Sequence, residues 1–197
     1  MNAILKAQDT FHKLEIFPDQ SAESPRSWDN LGTMACWHRR YNLGDEQPHQ
    51  GPEDHMADLP PNIALPLYLY DHSGITMSTG AFSCPWDSGQ VGFIYVTLER
   101  IRKEYGWKRI TRQRRAKIEE YLRQEVKTYD DFLTGNVYGF VLSKRGSCDC
   151  SPDDVESGDC DHWEESDSCW GFFGNPNDSG IGDQLPTEAA DLVDQLS

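Results

Sequence analysis

Hydrophobic positions along this chain fall into short runs of two distinct periods, separated by long polar stretches. Residues 11–17, FHKLEIF, alternate and predict a strand that ends at Pro18. IALPLYLYD (63–71) reads as a strand interrupted by Pro66, and GITMSTG (74–80) as its hairpin partner. QVGFIYVTL (90–98) is apolar, β-branched and aromatic, the composition of a buried strand, and runs directly into a helical segment near Glu99. Gly106 breaks that helix, and Thr111 is an N-cap for a longer one over 112–134. There Ile118, Tyr121, Leu122, Val126, Tyr129, Phe132 and Leu133 recur at helical spacing and define one apolar face, with Gly135 as the C-cap.

Two more apolar runs follow, NVYGFVLSK (136–144) and SCWGFFG (168–174). Their similar cores predict an antiparallel pair with an excursion between them. A terminal helix capped by Thr187 is expected in PTEAADLVDQLS. TMACWHRRY (33–41) fits strand or helix equally, and 19–32 and 44–61 read as polar loops. The predicted class is α+β: a mainly antiparallel sheet, one long helix packed on it, and an acidic hairpin excursion. The expected organisation is an α+β core over 1–145, an acidic Cys-rich finger over 146–168 inserted between paired strands, and a last strand with an acidic tail over 169–197.

Charge changes this picture from a plain small domain to a polarised one. The 197 residues carry a net charge of −15 and a low mean hydropathy, yet six Trp, eight Tyr and eight Phe argue against wholesale disorder. The charge is uneven. Residues 99–127 hold eleven Lys/Arg against five Glu, whereas 146–197 hold fourteen Asp/Glu and no Lys or Arg. An acidic chain repels nucleic acid and anionic membranes and favours basic partners, including proteins that bind nucleic acid. In the basic segment, Arg112, Arg114, Arg115 and Lys117 fall within two helical turns. They form either a solvated face neutralised by acidic segments of this chain or of a second copy, or a phosphate contact.

The finger, SCDCSPDDVESGDCDHWEESDSC (147–169), contains Cys148, Cys150, Cys160, His162 and Cys169 as potential ligands of one structural zinc. The spacing lacks the usual C-x2-C pair, so disulfide and free thiol stand as alternatives. Its carboxylates, Asp149, Asp153, Asp154, Glu156, Asp159, Asp161, Glu164, Glu165 and Asp167, come at short intervals. B-DNA carries about one charge per 1.7 Å of axis, a density that an ordered acidic surface can approximate. These residues are candidate contacts to a basic partner. DDVESGD does not match the twelve-residue EF-hand pattern.

Catalytic chemistry has two candidate locations. YDHSG (70–74) and SCPWDSG (83–89) offer Asp71, His72, Cys84 and Asp87, the residue types of an activated thiolate. His38, His49 and His55 crowd a segment with Asp45, Glu46, Glu53 and Asp54, without the spacing of a metallohydrolase motif. SCPWDSGQ also reads simply as a tight turn. No Walker or dinucleotide glycine loop occurs. The N-terminus has no basic-then-apolar leader, and no run approaches the ~18 apolar residues of a membrane span, so a cytosolic setting is expected, in the producing or infected cell.

SPRSWDNLGTMACWHRRYNLGD, CPWDSGQVGFIYV and KTYDDFLTGNVYGFVL, together about a quarter of the chain, resemble segments of small acidic proteins carried by bacteriophages and other mobile elements. The resemblance implies an accessory gene of such an element and brings no assigned catalytic or binding residue. By analogy of class it points to inhibitors of host nucleic-acid defences, of anti-restriction or anti-CRISPR type. A small Cys/His or metal-dependent hydrolase and a salt-sensitive self-associating regulator are the rival expectations.

Overall fold

The computed structural model describes residues 2–147 and 162–197. The class is α+β. Among the described residues, eight strands form two four-stranded antiparallel sheets, and one helix is 22 residues long. The chain divides into two compact units, one formed by residues 1–23 with 135–197 and the other by 24–134.

In the 24–134 unit the sheet runs β3 (Thr33–Cys36), β6 (Ser88–Thr97), β4 (Asn62–Asp71), β5 (Ile75–Ser78). Pro66 sits within β4 opposite Phe93. β5 pairs only with residues 68–71, so this part of β4 has a strand on one side only and its missing N–H is tolerated. Two further helices, α1 (Pro52–Asp58) and α2 (Leu98–Tyr105), precede the long α3 (Arg112–Leu133). The Thr97 hydroxyl caps α2 by accepting from Arg100 N at 3.2 Å, and Thr111 caps α3 by accepting from Arg114 N at 3.3 Å. Gly106, with φ +64°, ends α2 in the left-handed conformation that glycine adopts without cost.

α3 buries Ile118, Leu122, Val126 and Tyr129 against Ile63, Leu67, Met77, Ile94 and Val96 of the sheet. Each large apolar side chain so buried contributes about 1.5–3 kcal/mol. Asp130 fastens the helix to the edge strand β5, accepting from Thr76 Oγ1 at 2.6 Å and Met77 N at 2.7 Å.

A polar clamp holds the 24–45 segment to α3. The Arg26 side chain is only 6% exposed. It donates to both carboxylate oxygens of Asp45, to Glu125 Oε2 at 3.0 Å and to Gly32 O at 2.7 Å. Glu125 also accepts from the amides of Leu31 and Gly32, and Asp45 from that of Met34 at 2.7 Å. Burial disfavours the guanidinium charge, but the hydrogen bonds and charge of Asp45, then of Glu125, outweigh it and raise the pKa.

The other unit has the sheet β1 (Leu5–Gln8), β2 (His12–Pro18), β7 (Val137–Arg145), β8 (Trp163–Phe173). Its inner face, with Leu14, Ile16, Phe140 and Leu142, is covered by Ile181, Leu185, Ala189, Leu192 and Val193. The terminal helix expected after Thr187 is instead a 3-10 helix over Ala190–Gln195, preceded by Ala189 without a side-chain cap. Docking of Ala189, Leu192 and Val193 on the sheet, rather than capping, orders this segment. The backbone of Ser197 pairs with Lys6, extending the sheet beyond β1.

On the outer face, Glu15 accepts from Lys6 at 2.9 Å and Lys13 at 3.3 Å. Partial burial acts to raise its pKa, but the two lysine contacts outweigh that and leave it below the ordinary 4.5. A depressed carboxylate stabilises the fold above its unfolded pKa and loses that contribution as pH falls through the folded value. Glu15→Gln is therefore expected to lower the melting temperature at neutral pH. The difference from wild type should close below about pH 4.5, measured by circular dichroism.

Candidate functional site

Unequal charge on the two units is the most prominent chemical feature. Residues 1–23 and 135–197 hold eighteen Asp/Glu against four Lys/Arg, net −14, whereas 24–134 hold fifteen against fourteen, net −1. Of the candidate partner contacts, Glu164, Glu165 and Asp167 lie on β8, where all three are exposed. They pair opposite Lys144, Ser143 and Leu142, with a register shift between the last two. β8 is the outermost strand, so its far edge presents backbone groups bordered by carboxylates. Such charge also discourages pairing with other strands. Asp149, Asp153, Asp154, Glu156, Asp159 and Asp161 lie outside the described residues, as do Cys148, Cys150 and Cys160.

The strand bears on the five candidate zinc ligands. His162 immediately precedes β8, and Cys169 lies within it opposite Phe140. At ~3.3 Å per residue the two are roughly 20 Å apart, too far to share one ion. One ion can therefore take His162 or Cys169 but not both. Among the described residues, no three His, Cys, Asp or Glu side chains gather in a metal-holding group. In the 38–58 segment, His38 Nδ1 accepts from the amides of Arg40 and Tyr41, and its ring stacks on Tyr41 at 5.0 Å. His55 packs edge-on against Trp37 and Tyr95.

The fold brings three of the four thiolate candidates together, in an order unlike that of a relay. Asp87 Oδ2 lies 3.2 Å from His72 Nδ1 and 3.7 Å from Cys84 Sγ, so the carboxylate is the shared partner. A relay needs the imidazole between thiol and acid. Asp71 faces elsewhere, paired with Arg40 and accepting from Tyr41 OH at 3.3 Å. Of the four, Asp71 and Asp87 line an open cleft of about 470 Å³ with Trp37, Arg40 and Trp86, the last 92% exposed, while Cys84 and His72 do not. The buried Cys36 thiol is pushed up to about 12, first by burial and then by Asp45, which keeps it protonated and inert.

Arg112, Arg114, Arg115 and Lys117 occupy the first turns of α3. Arg115 pairs with Glu119 at 3.6 Å. The Arg114 guanidinium lies 4.7 Å from the Trp107 ring centre and donates to Arg109 O at 2.8 Å, and the Lys117 ammonium lies 5.5 Å from that of Tyr121. Tyr105, Trp107 and Tyr121 all flank the basic run, and helical spacing places only Tyr121, on the apolar face, without marking any of them as a neighbour of the cations.

No family model, curated protein or solved structure matches the chain. Among the described residues, no helix is long and apolar enough to cross a membrane.

Proposed function

We propose that this protein is a non-enzymatic acidic binding protein of a bacteriophage or mobile element. In this reading it inhibits a host nucleic-acid defence enzyme, of restriction or CRISPR type, by occupying the basic surface that holds DNA or RNA. The partner is a basic protein surface in the host cytosol. The observation that carries the proposal is the concentration of net −14 in one of two units, with Glu164, Glu165 and Asp167 displayed on an outer strand.

The spacing is physically suitable. An extended strand rises ~3.3 Å per residue, close to the ~3.4 Å of axis per phosphate in one DNA strand. Because successive side chains alternate faces, carboxylates on one face of the strand repeat every ~6.6 Å, about two phosphate steps. A basic cleft engaging them exchanges counterions as it does with DNA, which makes the complex salt-labile. A structural zinc, if bound, would draw on Cys148, Cys150 and Cys160 with either His162 or Cys169, and fix the carboxylates between them.

The test is phage plating efficiency on hosts with and without restriction or CRISPR systems, each expressing wild type or a neutralised variant. The variant changes the nine finger carboxylates from Asp149 to Asp167 to Asn or Gln. Wild type is expected to raise plating on a defended host by an order of magnitude or more, and the variant to lose that effect. Protection that survives neutralisation would overturn the proposal.

A further inference from the structure

We propose that the α2–α3 face of the 24–134 unit binds single-stranded nucleic acid. One base sits in an aromatic groove, and the adjoining phosphates lie on the cations of the two helices.

The groove, about 320 Å³, is lined by Trp28, Leu31, Tyr105, Tyr121 and Thr128, together with Glu125, whose carboxylate is neutralised by Arg26. This is the lower end of the ~300–1,000 Å³ range of small-ligand pockets. Trp28 is 49% exposed, an unusual placement for so large an apolar ring. Tyr105 stacks on Trp107 with ring centres 4.6 Å apart and 25° between planes, and on Tyr121 at 6.3 Å and 8°. The three rings thus form a ready-made stacking column leading to the groove. Cations already sit over its end rings, Arg114 over Trp107 and Lys117 over Tyr121, so the ring open to a nucleobase is the exposed Trp28.

Cations stand on the same two helices and in the connection between them. Arg102 and Lys103 on α2, Lys108 and Arg109 in the connection, and Arg112 and Lys117 on α3 form no salt bridge among the described residues. Among the described residues no carboxylate pairs with them, unlike Arg26 or Arg123, and Lys117 lies over the Tyr121 ring. The chain's large negative charge does not preclude this. Taken by itself, the 24–134 unit is near neutral, net −1.

Single-stranded nucleic acid fits better than the alternatives because it alone supplies both components. An acidic segment such as 147–169 of a second copy offers carboxylates to the cations, but its aromatic ring, Trp163, is already engaged by Arg145 and Lys13, at 4.3 and 5.6 Å from its ring centre. A duplex keeps its bases stacked out of reach.

The test is fluorescence anisotropy of a labelled single-stranded oligothymidylate titrated with the full chain. Inorganic polyphosphate, duplex DNA and a synthetic 147–169 peptide serve as competitors. Salt-dependent binding is expected, with Trp28→Ala weakening the oligonucleotide about tenfold and leaving polyphosphate unchanged. Trp28→Phe should recover most of the loss. Lys103→Glu, an exposed change that spares the core, should weaken both ligands. The proposal is overturned if the oligonucleotide does not bind, or if duplex DNA or polyphosphate displaces it as effectively as unlabelled oligothymidylate while Trp28→Ala has no effect. It is overturned equally if only the 147–169 peptide binds, which would assign the surface to a second copy. These measurements use the protein alone, so their outcome is independent of any host defence target.

Discussion

Arg26→Met is expected to destabilise the protein by about 3–5 kcal/mol, the largest effect of any single change considered. The side chain is 6% exposed and answers two carboxylates, Asp45 and Glu125, which are themselves mostly shielded. Removing the cation leaves both acids facing each other with only backbone amides as donors. The corresponding fall in melting temperature is roughly 10 °C for a chain of this size. Arg26→Lys should recover only part of it, because an ammonium cannot reproduce the forked contact to Asp45 while also reaching Glu125 and Gly32 O. Combining Arg26→Met with Asp45→Asn and Glu125→Gln should be less destabilising than Arg26→Met alone. A loss under about 0.5 kcal/mol for Arg26→Met in a urea melt would show that the clamp is not a stabilising element.

Gly92→Ala comes second. A Cβ at Gly92 would lie 2.1 Å from Ala35 O and 3.0 Å from Cys36 Cα. Both are backbone atoms of β3, so relief requires moving the strand rather than turning a side chain. Gly92 pairs with both Cys36 and Leu67, which places the displacement at the centre of the sheet. A cost of about 1–3 kcal/mol is expected, at least that of overpacking a core by one methyl. Gly89 of the same strand is the internal control. A Cβ there meets nothing within 4 Å, so Gly89→Ala should be neutral or slightly stabilising. Equal melting temperatures for the two variants would contradict the close approach at Gly92.

These two sites show where sequence reasoning reaches and where it stops. The strands at 62–71 and 88–97, both helices after Thr97, and the pairing of 137–145 with the last strand are legible because their signals are local: apolar runs, Thr caps and glycine stops. α1 is not legible as a helix, since none of its residues is buried and it carries no apolar stripe. Only Pro52 and the acids Glu53 and Asp54 mark its start. The first half of β8 is missed for a related reason. Residues 164–168 are all polar and exposed, and their extended form comes from the ladder with β7 rather than from their own pattern. The separation into two sheets depends on β2 meeting β7 across more than a hundred residues, which no periodicity reports.

The clamp is hidden in the same way. Arg26 sits 19 residues from Asp45 and 99 from Glu125, and nothing local distinguishes it from the solvated arginines. For the candidate sites, residue type was visible and order was not. Cys84, His72 and Asp87 do converge, but with the carboxylate in the middle, and Asp71 is drawn away by Arg40. The aromatics that line the groove are the exposed Trp28 on one segment and the half-buried Tyr105 and Tyr121 on two others, and only the fold collects them.

The reading of the acidic unit as a nucleic-acid substitute meets its most direct test in competition. The full chain is immobilised, a host extract passed over it, and the retained protein challenged with duplex DNA and with rising salt. Release by DNA at modest salt, together with failure of the carboxylate-neutralised variant to retain the same protein, is the expected result. Retention that neither DNA nor neutralisation disturbs would contradict it.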